Sequence, residues 1–342
     1  MAQKMFRVAI ALNKKMAYSV LGEKNYTFLR TFADVNPIEE LPEVMTLPFM
    51  ESILKDADAC LSCWGTPGFT EELLASAPKL KLVAHAAGSV KHMAPGVFWE
   101  SGRRITSNAP LIAEDVAQTV LGYILFAMRG MWDLALSTRK GEWSGGEASL
   151  FKAFKARRLD GLQVGVVGAS HAGKEVIKIL TPFNCQISLY DPTVSPIEAD
   201  LLGVRLLELD ELIANSDVMT LHVPPIEECR HMINKNNAPL IKDGAFFINT
   251  ARGMLVDESA LVRELKTGRF FACIDVTDPE PPPADHPFRS LENVLLTPHI
   301  AGGHTINGRL MLGENSVKEI YNYLHKGLLR WEVRKEMLDM MA

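Results

Sequence analysis

The stretch Gln163-Val-Gly-Val-Val-Gly168-Ala-Ser170-His171-Ala172-Gly173-Lys174 decides how the rest of the chain is read. It reads as a strand that runs into a glycine turn and then into a helix from about Ala172, the context in which a glycine fingerprint signals dinucleotide binding. Gly168 suits the tight turn and Gly173 the close approach of helix to strand. Ser170 stands in the middle place, where bare backbone normally lets a pyrophosphate approach, so its hydroxyl must stand aside or donate to a phosphate oxygen. Alone, the fragment also fits a purely structural strand–helix turn. Asp191, at the end of the next strand in Ser188-Leu-Tyr-Asp191-Pro192, lies close to the roughly 20-residue offset expected of a carboxylate on an adenosine ribose. That charge repels a 2′-phosphate, and residues 190–196 include no Arg or Lys to compensate, so NAD is expected over NADP. The alternative reading of Asp191 is a turn residue before Pro192.

Working outward, strands are expected at 163–167, 186–190, 217–221, 245–249, 270–275 and 294–296, with helices from about 172, at 209–214 and from 257 to a stop at Gly268. Regular alternation of short strands and helices implies a parallel sheet covered on both faces. Upstream, strands at 6–12, 59–63 and 80–84 and a helix capped by Thr70 form a smaller α/β unit. From Leu111, the residues Ile112, Val116, Val120, Leu121, Ile124, Leu125 and Met128 repeat at helical spacing over a wide face, which suits a long helix at a domain junction. A last helix, about 306–326, is free to pack back on the first domain. Polar and basic stretches at 139–146 and 152–158 read as solvated surface.

Composition bounds the function. The 342 residues, 47% hydrophobic, suit about two domains at roughly 150 residues each. Lys+Arg 36 against Asp+Glu 41 leaves a net charge of −5, with no basic surplus for nucleic acid. The uncharged apolar run 116–128 is shorter than the roughly 18–20 residues that cross a bilayer, and the N-terminus lacks a signal-peptide layout. A cytoplasmic protein without a membrane partner is expected. Five cysteines are too few for a disulfide scaffold, and Cys60-Leu-Ser-Cys63 reads as two buried thiols at a strand end. His85, His92, His171, His222 and His304 show no ligand spacing with carboxylates or cysteines, so no metal is expected.

Three further segments fall at strand ends, the edge where an open parallel sheet binds ligands. They are Phe247-Ile-Asn-Thr250-Ala251-Arg252, Cys273-Ile-Asp275-Val-Thr-Asp-Pro-Glu280, and Leu296-Thr-Pro-His299. Pro298 ends the strand and holds His299 outside a helix, and three prolines after Glu280 stiffen its loop. Arg, Glu and His together suit reduction of a 2-oxo acid. A guanidinium fork binds the carboxylate and polarises the carbonyl, an imidazolium gives its proton to the oxygen, and Glu280 supplies the charge that keeps His299 protonated.

With these motifs the sequence resembles the NAD-dependent D-2-hydroxyacid dehydrogenases, from about residue 59 to 303. The resemblance rests on Gly168 to Gly173 with Asp191, His222-Val223-Pro224, Asn249-Thr-Ala-Arg252-Gly, Asp275-Val with Glu280-Pro, and Thr297-Pro-His299. It implies an α/β fold of two domains, each a parallel sheet flanked by helices. A flavodoxin-like substrate domain would take residues 1–110, a Rossmann-type domain 111–303, and a C-terminal helix at 304–342 would return to the substrate domain, with the active site in the cleft. By the same resemblance Arg252, Glu280 and His299 are catalytic, and Asp275 lies by the nicotinamide. Ser170, His171 and Ala172 meet the cofactor with the two glycines. His222, Val223, Pro224, Thr250 and Ala251 line it, and Arg252 and His299 touch it as well as substrate. The amides of Gly88, Ser89 and Val90 face the substrate carboxylate. Ser89 and Lys91 replace a glycine and an aspartate usual in the family, and Gln118 replaces a glutamate near the start of the long helix. A small 2-oxo or 2-hydroxy acid and a second copy of the chain, as a homodimer, are the implied partners. Length speaks against an appended regulatory domain. Two alternatives stand beside this reading: an NAD(H)-sensing corepressor-like protein of the same fold, and a formate or phosphite dehydrogenase, although formate enzymes carry Gln in the place of Glu280.

Overall fold

A computed structural model describes residues 5–141 and 156–341, so most of the polar and basic stretches at 139–146 and 152–158 lie outside the described residues. The chain forms two compact units, Met1–Ile112 with Gly303–Met341, and Ala113–Gly302.

In the first unit, β1 (Phe6–Ala11), β2 (Ala33–Val35), β3 (Ala59–Ser62), β4 (Leu82–His85) and β5 (Arg104–Ser107) lie parallel in the order β5-β4-β3-β1-β2. This is the flavodoxin-like order 2-1-3-4-5, with a short antiparallel strand, Glu332–Val333, added beside β5. Alternate residues of β1 serve opposite faces. Val8 and Ile10 join a core with Val20, Leu29, Leu312 and Val317, whereas Ala9 and Ala11 join another with Met50, Leu54, Phe69 and Leu73. The helices Lys14–Phe32 and Ile306–Lys326 therefore cover one face, and Leu47–Leu54 and Glu71–Ser76 the other. Asn25 Nδ2 donates to the Leu310 carbonyl at 2.9 Å, and a Cβ on Gly313 would lie 1.9 Å from the Val20 oxygen. Those two helices thus pack backbone against backbone, as small residues allow. Cys60 and Cys63 are free, buried thiols, each pushed up to about 12 by desolvation.

In the second unit, β6 (Gln163–Val167), β7 (Gln186–Tyr190), β8 (Arg205–Leu206), β9 (Val218–Leu221), β10 (Phe246–Asn249), β11 (Phe271–Ile274) and β12 (Val294–Leu296) form one parallel sheet. Its order is β12-β11-β10-β9-β6-β7-β8, so the winding reverses between β6 and β9. Ligands of doubly wound sheets bind beyond the strand ends at that reversal. The helices Ala109–Met128 and His171–Leu180 pack on one face through Val120, Ile124, Val176 and Leu180, and Leu209–Asn215 and Glu258–Leu265 on the other through Leu212, Leu261 and Leu265.

The long helix corrects one expectation. It begins at Ala109 and runs 20 residues with a mean hydropathy of 1.4 in its most apolar window, enough by length and composition to cross a bilayer. The apolar run at 116–128 understated it because Glu114 and Asp115 interrupt the first half without ending the helix. Ala117, Val120, Ile124, Ala127 and Met128 are core residues of the second unit. Gln118 lies in mid-helix, not near its start.

Candidate active site

At the sheet reversal, sterics fix both glycines of the fingerprint. Gly168 has φ +97°, and a Cβ there would stand 2.7 Å from the His222 carbonyl, while a Cβ on Gly173 would stand 2.0 Å from the Gly168 oxygen. Ser170 needs no such exemption. Its φ is −58°, and it caps the helix His171–Leu180, its Oγ accepting from the Gly173 amide at 3.4 Å. Ser170 Oγ thus satisfies one amide at the helix N-terminus and keeps its own O–H as a donor, and that N-terminus is the anion-binding feature of the turn. Asp191 Oδ2 accepts from the Ala169 amide at 2.7 Å, and Oδ1 from the Thr193 amide and hydroxyl at 2.9 and 2.7 Å. Asp191 thus makes a turn and also ties the end of β7 to the fingerprint, which places a carboxylate beside the phosphate-binding turn.

The residues after β9 and β10 complete this edge. His222 is buried, its Nε2 paired with Thr220 Oγ1 at 2.9 Å, and burial lowers its pKa to about 3, so the ring is neutral. Val223 is buried beside it, and Val223 Cγ1 is among the nearest atoms to a Cβ placed on Gly168. The buried Thr250 hydroxyl and His222 Nδ1 have no hydrogen-bond partner among the described residues. A buried polar group left unpaired costs about 1–3 kcal/mol, so these atoms, with the glycine cradle and Asp191, fit a dinucleotide. Asp191→Ala should weaken NADH and narrow or reverse the preference over NADPH, read from kcat/KM with each cofactor. Equal efficiency of the two in the unaltered protein would refute the role given to Asp191.

Three loops at the same edge present the titratable groups. Arg252 follows β10, and Asn249 shapes its turn by donating from Nδ2 to the Arg252 carbonyl at 2.9 Å and accepting from the Ala251 amide at 3.1 Å. The Arg252 Nη1 donates to the Ala251 carbonyl at 2.6 Å. Burial lowers the guanidinium pKa and the nearby Glu280 charge raises it. His299 Nδ1 lies 2.7 Å from Glu280 Oε1, and both side chains keep about two fifths of their surface open, at 43% and 42%. Their Nε2 and free oxygen are therefore available to a ligand. Asp275, Thr277, Glu280, Thr297 and His299 are among the residues that line a hollow of about 430 Å³.

His299 sits at φ +54°, a conformation few non-glycine residues adopt, and Asp275 holds it there. The Asp275 carbonyl accepts from the His299 amide at 2.8 Å. Its buried carboxylate accepts from Thr297 Oγ1 at 2.6 Å, the Ile300 amide at 2.9 Å and the Ala301 amide at 2.8 Å. Asp275 is thus committed to the His299 loop through both oxygens. Tyr123, from the long helix, meets Thr297 Oγ1 at 2.7 Å and braces the same loop. The sequence reading passed over Tyr123, which has no local signal, and Asn249, which it quoted only as part of a motif.

Gly88, Ser89 and Val90 belong to the first unit, directly after β4. Gly88 and Ser89 are half-buried, Val90 is buried, and the Ser107 hydroxyl donates to the Gly88 carbonyl. The neighbouring His85 is buried and neutral, its pKa lowered to about 3 by desolvation, with Nδ1 3.0 Å from Ser62 Oγ.

Comparison with known proteins agrees with this edge. Residues 121–301 match the domain described as "D-isomer specific 2-hydroxyacid dehydrogenase, NAD binding domain". The chain is 31% identical over 91% of its length to the D-3-phosphoglycerate dehydrogenase of Methanocaldococcus jannaschii, but spans only 57% of that relative. It is 33% identical over 75% of its length to the hydroxypyruvate reductase of Thermotoga maritima, covering 81% of it. The structure of the D-lactate dehydrogenase of Aquifex aeolicus, solved with NAD and lactic acid, superposes with a TM-score of 0.69 at 26% identity, over 93% of this chain and 95% of that one. The chain belongs to the D-isomer specific 2-hydroxyacid dehydrogenase family, and its second unit carries the family's NAD-binding domain.

Proposed function

We propose that the protein reduces small 2-oxo acids to D-2-hydroxy acids with NADH, and oxidises them in reverse. The observation that carries this is the Glu280–His299 pair at 2.7 Å, with Arg252 within electrostatic reach of Glu280, on the ligand edge of an NAD-binding sheet. Gly168, Gly173, Asp191 and Thr250 would hold NADH, which when bound supplies the hydride. Arg252 remains cationic and offers a planar fork to the substrate carboxylate and carbonyl. Because Glu280 occupies Nδ1, His299 delivers its proton from Nε2 to the carbonyl oxygen and takes it back in the reverse direction. Asp275 and Tyr123 keep that imidazole in place.

A cytosolic homodimer is part of the proposal, supported by five free cysteines and by the exposed Leu125, Met131 and Leu134 on neighbouring helices. Sedimentation at micromolar concentration checks the dimer. The test of activity is NADH oxidation against a panel of small 2-oxo acids. Turnover with at least one supports the reading, and NADH binding with only trace turnover on all would favour the corepressor-like sensor. Glu280→Gln, which removes the anion bonded to His299 Nδ1, should lower kcat for 2-oxo acid reduction ~10-fold or more with little change in NADH affinity. An unchanged kcat removes Glu280 from the mechanism.

A further inference from the structure

A second carboxylate–imidazole pair, used in none of the steps above, joins the helix Glu258–Leu265 to the loop that carries Glu280. Glu258 opens the helix Glu258–Leu265, and His286 precedes the short turn Pro287–Arg289. His286 Nε2 lies 3.0 Å from Glu258 Oε2, and the two side chains are only 15% and 12% exposed. The other oxygen, Oε1, accepts from the Asp278 amide at 3.0 Å, two residues before Glu280. The same peptide is pressed against Gly253, the residue after Arg252. A Cβ on Gly253 would lie 2.1 Å from the Thr277 carbonyl carbon and 2.5 Å from the Asp278 nitrogen. One peptide, Thr277–Asp278, therefore joins the Arg252 turn, the Glu280 loop and Glu258.

The hydrogen-bond arithmetic explains the residue types. His286 Nδ1 accepts from the Phe288 amide at 3.3 Å, so in the neutral ring Nε2 bears the proton and donates to Glu258. Desolvation holds His286 below the usual histidine range and pushes Glu258 up to about 7, with Asp278, Asp285 and Arg289 the charged neighbours that act on the pair. Glu258 thus faces two donors. A carboxylate accepts from both, whereas a glutamine must turn its NH₂ toward one of them.

We infer that Glu258 and His286 are positioning residues for the reaction proposed above: they fix the Thr277–Asp278 peptide against Gly253 and so hold Glu280 in register with Arg252 and His299. The inference rests on that reaction for its kinetic arm only, because the brace itself is visible in hydrogen exchange. In Glu258→Gln, amide exchange in residues 276–281 should quicken by ~10-fold or more while the strands of the sheet keep their protection. In the same variant kcat for 2-oxo acid reduction should fall ~10-fold with NADH affinity within about 2-fold. His286→Gln, which keeps a donor near the place of Nε2, should retain kcat within about 3-fold, and His286→Ala should resemble Glu258→Gln. If Glu258→Gln does not fold, His286→Ala carries the same readouts. Unchanged exchange at 276–281 overturns the brace. Faster exchange with unchanged kcat, or an equal loss of kcat, NADH affinity and melting temperature, overturns the positioning role. Absence of any wild-type turnover would refute the proposed reaction and leave the exchange result to decide the brace.

Discussion

Replacing His299 with alanine is expected to lower turnover of a 2-oxo acid by ~10²-fold or more, the usual scale for a positioned general acid, with little change in NADH affinity. The asymmetry follows from the geometry. The imidazole is bonded to Glu280 through Nδ1, and its backbone is held by Asp275 through groups that the substitution leaves in place. The loop therefore survives while the proton donor is lost. Steady-state kinetics beside NADH fluorescence titration separates the two quantities. A parallel loss of turnover and cofactor binding would mean that His299 shapes the cofactor site and is not the proton donor.

Arg252→Lys is expected to lower kcat/KM by about 10²-fold or more even though the charge is kept. The guanidinium offers a rigid fork to carboxylate and carbonyl together, whereas an ammonium offers a point charge that cannot span both oxygens. Asn249 fixes the Arg252 backbone, so the variant should still fold. Oxo acids compared with their esters or amides test the role directly. In the wild type the anionic substrate should be strongly preferred, and the preference should shrink in Arg252→Lys. Equal reduction of neutral and anionic substrates by the wild type would remove the carboxylate from recognition.

Much of the second unit can be read locally, because its strands are buried on both faces and end in turns with distinctive residues. Gly168, Gly173 and Asp191 occupy backbone positions with steric or hydrogen-bonding demands that few other residues meet. The first unit hides more. The helix Lys14–Phe32 is interrupted at Gly22, which has φ +55°, so its apolar period breaks midway. Each unit also has a two-residue strand, Glu332–Val333 in the first and β8 in the second, that exists only by pairing with a neighbour. Within the site, the groups that perform chemistry lie in recognisable strand-end motifs, whereas those that hold them do not. Tyr123 reaches Thr297 from a distant helix, and Glu258 meets His286 only once the sheet has brought their loops together. Asp275 shows both conditions, being legible as a strand-end carboxylate while its commitment to the His299 loop is visible only in three dimensions.

The discontinuity of the first unit has a consequence for biosynthesis. One face of its sheet, including Val8, Ile10 and Leu61, is covered in part by Leu312, Val317 and Ile320, which leave the ribosome after the whole of Ala113–Gly302. At the roughly 5–20 residues per second of translation, the interval is on the order of 10–40 s. For that time the nascent chain carries an apolar surface without its final cover, whereas the contiguous second unit gains its last strand, β12, before Leu312 is made. The cofactor-binding half is therefore expected to reach protease resistance first on stalled ribosomes, and the first half only once Ile306–Lys326 has emerged.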